Sequence, residues 1–274
     1  MPSNSFTFTH SHMPATTLHT VSLPPAPNGM SAAEWDARQQ LALCYRLVDM
    51  YGWTSVVYNH ITLRIPDSEH ILINPFGLRY DEVCASNLVK IDLDGNILSE
   101  TDWPINLAGY VIHSTIHKAR PDLHCVLHTH EAVSQSLCAT DTRVVPVTQE
   151  GCQFHERVGY HNFEGIVLDG SEGPRIIDAL GSHNHTLVLR NHGLITAGDD
   201  ATWAFVRHQA FIRNAQVQLA AMATGKLHPI STDAMERTRA QFELGNAQAN
   251  AKVRHPEWPA LMRCIDAKDP SWKF

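Results

Sequence analysis

The sequence predicts an α/β fold in which a mixed sheet is covered by helices. Helical and strand-like patterns interleave along the chain. Several strands are joined by turns too tight to hold a crossover helix, which argues against a purely parallel sheet. Hydrophobic residues make up 43% of the 274 residues, enough for a substantial core.

Residues 1–30 are rich in Ser, Thr, Pro and His, lack periodicity and close on "SLPPAPNG". They read as a flexible or extended N-terminal arm. Ser31 then stands at a helix-cap position, with Glu34 where a capping box wants it. The helix "AAEWDARQQLALCYRLVDMYGW" carries an apolar stripe through Trp35, Leu41, Leu43, Leu47 and Val48. "HITLRIP" and "HILINPFG" are short strands on either side of the polar turn "DSE". "LVKIDLDGNIL" reads as a hairpin with Asp94-Gly95 at its turn. Residues 105–119 are helical in pattern, "HCVLHTH" is a strand, and 131–170 is mixed and rich in turns. "SEGPRIIDALGSH" is a short helix that Ser171 can cap, and "HTLVLR" is a strand ending at "NHGLITAG". A long helix starts at Asp199 or Asp200 and stops at Gly225. Residues 226–274 form a helical C-terminal extension. The chain thus divides into an arm (1–30), one domain (31–225) and an extension (226–274).

Bulk properties exclude several function classes. A net charge of −7 and a pI near 6.2 leave no basic footprint for nucleic acid. No apolar run reaches the length of a membrane span, and no signal-peptide pattern opens the chain. Six scattered cysteines without a CxxC fit a reducing, cytoplasmic setting. Neither GxGxxG nor a P-loop is present, so no nucleotide cofactor is implied.

The chemistry lies in the histidines. In a strand, residues i and i+2 share a face, so His128 and His130 of "CVLHTH" stand side by side. Two imidazoles so placed can converge on one Zn²⁺. In a chain with 18 histidines such a pair carries little weight alone. A catalytic metal wants a third ligand, and His192 is the leading candidate. It follows the strand "TLVLR" and precedes Gly193, where backbone can approach closely.

The segments "YNHITLRIP", "ILINPFGLRYDEV", "NLAGYVIHSTIHKARPDLHCVLHTH", "GYHNFEGIVLDG" and "LVLRNHGLITAGDDATWAF" resemble the class II aldolase and adducin head-domain superfamily, over residues 32–225. The match is nearer the adducin-like branch than the sugar-phosphate aldolases. The resemblance implies a three-layer α/β/α sandwich around a mostly antiparallel mixed sheet. It implies a divalent metal, Zn²⁺ ahead of Mn²⁺, on His128, His130 and His192. With the many apolar helices, it also implies a homotetramer with pockets at subunit boundaries.

The same resemblance exposes departures. The aldolases' Ser-Ser-Glu run, which grips phosphate and handles the substrate proton, falls on Leu107, Ala108 and Gly109. Their Thr-Gly phosphate loop reads Phe76-Gly77, and their GNxS segment reads Asn59-His60-Ile61-Thr62. A tyrosine that assists protonation in some members falls on Gln149. A phosphate wants donors and positive charge, and Phe, Leu and Ala supply none. The expected function is therefore a metal-dependent lyase, by decarboxylation or retro-aldol cleavage, on a small hydroxy, keto or carboxylate compound and not a phosphosugar. The alternative is a non-catalytic adducin-like assembly or cytoskeletal module.

Candidate catalytic residues are Tyr160, His161 and His113. Tyr160 and His161 are the preferred acid/base pair, or close the pocket of a neighbouring subunit; with His155 and Glu164 they could equally be a hydrogen-bonded turn. His113 and His117 lie at i and i+4 of a helix, where His113 packs near the site and His117 faces solvent. Candidate substrate-binding residues are His60, Asn74, Gly77 and Arg79. Arg64 and Arg79 offer planar forks for a carboxylate, although surface ion pairs are the commoner fate. Glu150 is a candidate for the lost acid/base.

Overall fold

The computed structural model describes residues 18–167, 169–250 and 255–274. The predicted arm therefore lies partly outside the described residues. Its described part, 18–30, is laid along the first helix, α1 (Ala32–Met50). The Pro24 carbonyl accepts from Trp35 Nε1 and Gln39 Nε2, and Val21, Ala26 and Met30 pack on the core. Ser31 caps α1 as expected, accepting from the Glu34 amide. The Glu34 carboxylate does not close a capping box. It binds Arg38 and Lys90 instead.

Seven strands form one sheet in the order β3-β2-β1-β4-β7-β6-β5. They are β1 (His60–Arg64), β2 (Ile71–Ile73), β3 (Val89–Ile91), β4 (Cys125–Thr129), β5 (Val158–His161), β6 (Thr186–Leu189) and β7 (Gly193–Gly198). All pairings are antiparallel except β5–β6. The predicted hairpin at 88–98 survives as β3 and one isolated bridge, Ile91 to Ile97. Asp92 organises its turn by accepting from the amides of Asp94 and Asn96.

Alternation along each strand splits the core into two layers. Ile61, Leu63, Leu72, Cys125, Leu127, Val188 and Leu194 face α1 and α5 (Ala201–Thr224). Val126, Leu187, Leu189, Ile195 and Ala197 face α2 (Leu107–Ala119) and α4 (Gly173–Leu180). The result is a three-layer α/β/α sandwich. Asn106 caps α2 and Asp200 caps α5, whose end is set by Gly225. Ser171 does not cap α4. It lies in a 3₁₀ turn held by Asp169, and α4 begins after Glu172. The short α3 (Ala132–Cys138) follows β4, capped by Glu131.

Beyond Gly225 come α6 (Thr232–Asn250) and α7 (Glu257–Lys268). The chain end does not stand apart from the domain. Trp258, Ile265 and Trp272 are buried in the layer under α1, and Asp269 pairs with Arg46 of α1. No helix among the described residues is long and apolar enough to cross a membrane.

Candidate metal centre

The pair His128 and His130 closes β4 on its α2 face, the side opposite Leu127 and Thr129. Next to it in the sheet, a three-residue turn joins β6 to β7. Asn191 adopts a left-handed φ of 56°, which Asn tolerates better than most residues. This turn swings His192 over β4. Gly193 then runs so close that a β-carbon there would lie 2.5 Å from the Thr129 carbonyl and 3.1 Å from His128 Cε1. In "NHG", the Asn makes the turn, the His presents its imidazole to the cluster and the Gly permits the close approach.

The ligand-capable atoms of His128, His130 and His192 all lie within 4.8 Å of one another. His128 Nε2 and His130 Nε2 are 2.9 Å apart. His128 Nδ1 donates to the Leu194 carbonyl at 3.0 Å, which leaves Nε2 as a bare lone pair. Backbone supports hold the other two in place. The Asn59 side chain accepts from the His130 amide, and Gln135 Nε2 donates to the His192 carbonyl. Burial, then the neighbouring imidazoles, hold His128 well below the ordinary histidine range and push His192 down to about 4. Burial also lowers His130. Three neutral, converging nitrogens are the donor set a divalent metal takes.

A second latch sits beneath β4 on the α5 face. Thr196 Oγ1 donates to the Ala204 carbonyl, so it must accept from His208 Nδ1 at 2.9 Å. His208 Nε2 then accepts from Thr129 Oγ1 at 2.7 Å. Thr129 stands between two of the cluster histidines, so α5 anchors the strand end that carries them.

Residues 39–219 match the class II aldolase and adducin N-terminal domain family. The chain belongs to this family. A solved aldolase II superfamily protein from Pseudomonas syringae is 37% identical with a TM-score of 0.81; the match covers 89% of this chain and 98% of that one. L-fuculose 1-phosphate aldolase from Glaciozyma antarctica PI12 is 26% identical with a TM-score of 0.71, covering 85% of this chain and 97% of that one. Alpha-adducin of Rattus norvegicus is 36% identical over 241 residues, 84% of this chain but 33% of the adducin. Both branches of the family are thus represented among its relatives.

The other sequence-derived residues divide by sheet face. His60 stands directly across from His128 in the β1–β4 register, with ring centroids 4.9 Å apart. Burial and the imidazoles of His130 and His192 push it down to about 3. Its ring fills the space above Gly109: a β-carbon at 109 would lie 2.6 Å from His60 Nε2. His113 packs on His60, its Nε2 2.9 Å from His60 Nδ1. His161 is on the same face, its Nε2 2.6 Å from the Glu172 carboxylate.

Tyr160 is not brought to His161. Adjacent strand residues point to opposite faces, so the pair is split across the sheet. The Tyr160 hydroxyl accepts from the Val144 amide, and the ring stacks with Arg143 and Arg190. Asn74 is likewise on the α1 face, where it accepts from Tyr45. Gly77 lies in an exposed loop against Trp103, with φ 114°. Arg79 is exposed and engaged by Asp81 and Glu82. Arg64 binds the His117 carbonyl and Glu69. Glu150 lines a cavity of about 600 Å³ with Tyr51, Trp53 and Trp203, beside α5. His117, expected in solvent, is fully buried, because its α2 face turns inward onto Thr62. No sequence pattern signals Gln135 or His208, and the match of Asn59 and Thr62 to the GNxS segment gives no hint of their partners, since each acts through a contact distant in the chain.

Proposed function

We propose that this chain is a divalent-metal-dependent carbon–carbon lyase acting on a small hydroxy, keto or carboxylate compound. The observation that carries this is the convergence of His128, His130 and His192, with His128 Nδ1 already tied to a backbone carbonyl. Bound there, a Zn²⁺ or Mn²⁺ ion supplies Lewis-acid polarisation of a substrate oxygen. His60 and His113 line the same side of the sheet and supply hydrogen-bonding nitrogens next to the cluster. Gly109 has no carboxylate for removing a substrate proton. Decarboxylation needs no such removal, and it is the favoured reaction, ahead of retro-aldol cleavage.

Phosphosugars are disfavoured as substrates. Leu107 and Ala108 replace phosphate donors with apolar surface, Phe76 does the same in the facing loop, and Leu107 is exposed there. The active form is a cytoplasmic homotetramer with subunits meeting near the sites. The exposed Val56, Tyr58, Phe163 and Ile166 support that assembly. The test is elemental analysis of protein purified without chelators, then a screen of hydroxy- and keto-acids for CO₂ or aldehyde release. Coupled aldolase assays on fuculose and rhamnulose phosphates should stay silent. Turnover there on the order of 1 per second refutes the substrate assignment.

The likeness to alpha-adducin favours a second reading, a non-catalytic assembly module. His192→Ala separates the two. It leaves assembly intact under both readings and abolishes turnover under the first, so turnover seen in the wild type and lost in the variant refutes the second.

A further inference from the structure

Behind His60 a chain of hydrogen bonds runs away from the cluster into the α2 layer. His60 Nδ1 meets His113 Nε2 at 2.9 Å, His113 Nδ1 meets Thr62 Oγ1 at 2.8 Å, and Thr62 Oγ1 meets His117 Nε2 at 2.8 Å. All four residues are buried, and among the described residues their side chains bond to one another and to no carboxylate. A cation buried without an anion is costly, so each imidazole carries one proton. A threonine hydroxyl also has one proton, so it donates to one histidine and accepts from the other. The chain must therefore run in a single direction.

Its far end sets which. His117 Nδ1 is buried with no partner in good hydrogen-bond geometry, and it faces the backbone carbonyl of Leu123. A carbonyl oxygen attracts an N–H and repels a lone pair. The Arg64 guanidinium also acts on this ring; its two terminal nitrogens bind the His117 carbonyl and Glu69, while its Nε has no hydrogen-bond partner. With the proton on His117 Nδ1, Thr62 donates to His117 Nε2 and accepts from His113 Nδ1. His113 Nε2 then accepts from His60 Nδ1, and His60 Nε2 is left as a lone pair.

We propose that Thr62, His113 and His117 are positioning residues that hold His60 in this tautomer, so that Nε2 reads a hydroxyl donor on the substrate. The ligand class is a small acid whose hydroxyl stands beside its carboxylate. His60 takes the volume that a side chain at Gly109 would need, so the polar group next to the cluster moves from α2 to β1. This rests on the cluster being the substrate-binding metal centre.

The direct test is neutron diffraction of the deuterated protein, with and without zinc. Deuterium on His60 Nδ1 and on His117 Nδ1 is expected; deuterium on His60 Nε2 overturns the proposal. Ligand binding to zinc-loaded protein is the second readout, comparing glycolate with methoxyacetate, which has no hydroxyl donor. The glycolate preference should fall about 3- to 10-fold in Thr62→Val, the worth of one hydrogen bond. It should survive in Thr62→Ser. An unchanged preference in Thr62→Val overturns the selection step. Elemental analysis of the same samples reports separately on the metal reading, because the deuterium positions can be read whether or not zinc binds.

Discussion

Replacing Gly193 with alanine adds one carbon at the most crowded point of the cluster. The obstacle is space, since the residue's φ is not in the left-handed region. The new atom would stand 2.5 Å from the Thr129 carbonyl, 3.0 Å from His130 Cδ2 and 3.1 Å from His128 Cε1. A backbone oxygen in the middle of a sheet cannot swing aside as a side-chain tip can. Contacts below 3.0 Å essentially do not occur, so β4 and β7 must part by about half an ångström. Metal–ligand distances tolerate only about 0.2 Å. Zinc affinity should therefore fall about 10- to 100-fold, the effect seen when a ligand's support is lost. Overpacking should also cost about 1–3 kcal/mol of stability. Competition against a chromogenic chelator measures the first, and thermal melting in EDTA the second. Gly245→Ala is the control: it lies within α6 with nothing near its β-carbon and should gain about 0.5–1 kcal/mol. Wild-type zinc affinity in Gly193→Ala would refute the claim that this glycine sets the ligand spacing.

Gly109→Glu should destabilise the protein by about 1–3 kcal/mol and restore no aldolase activity, because its β-carbon meets the His60 ring. Adding His60→Ala should recover about 1 kcal/mol of that, a non-additivity that denaturant melts of the four proteins can resolve. Thr129→Val should weaken zinc binding several-fold by releasing β4 from His208, whereas Thr129→Ser should not; chelator competition distinguishes them. Acid should unfold the metal-free protein early. His60, His117 and His208 are pushed down to about 3 by burial, and His113 and His128 well below the ordinary range. The unfolded chain takes up their protons as pH falls through about 6.5, while the folded chain resists protonation far below that, down to about 3 at His60, His117 and His208, so stability is lost as pH falls below about 6.5. Five such groups together reach about 7 kcal/mol per pH unit, comparable to a whole domain's stability. Circular dichroism in EDTA should place the midpoint between pH 6 and 4, and a fold that persists at pH 3 would contradict the neutral-histidine reading.

How much of this was written in the sequence depends on the range of the interaction. Period-2 alternation placed His128 and His130 on one face, and the caps at Ser31, Asp200 and Gly225 were legible because a cap is a contact between near neighbours. The long helix and the strands on either side of "NHG" followed from patterns equally local. The same alternation, applied to Tyr160 and His161, would have split that pair from sequence alone. What the sequence could not settle were contacts between distant segments. Gly109 looks like a simple loss until His60, 49 positions earlier, is found in the space above it. His117 reads as a surface histidine until α2 is docked and its inner face meets Thr62. Arg79 and Asn74 are plausible ligand groups in one dimension, but the fold gives them to Asp81, Glu82 and Tyr45. Local spacing fixes which side chains share a strand or helix face, because backbone geometry repeats from residue to residue. Which face meets which, and which buried polar group finds a partner, is decided only by tertiary packing, where every buried nitrogen and oxygen must be satisfied by whatever the rest of the chain brings.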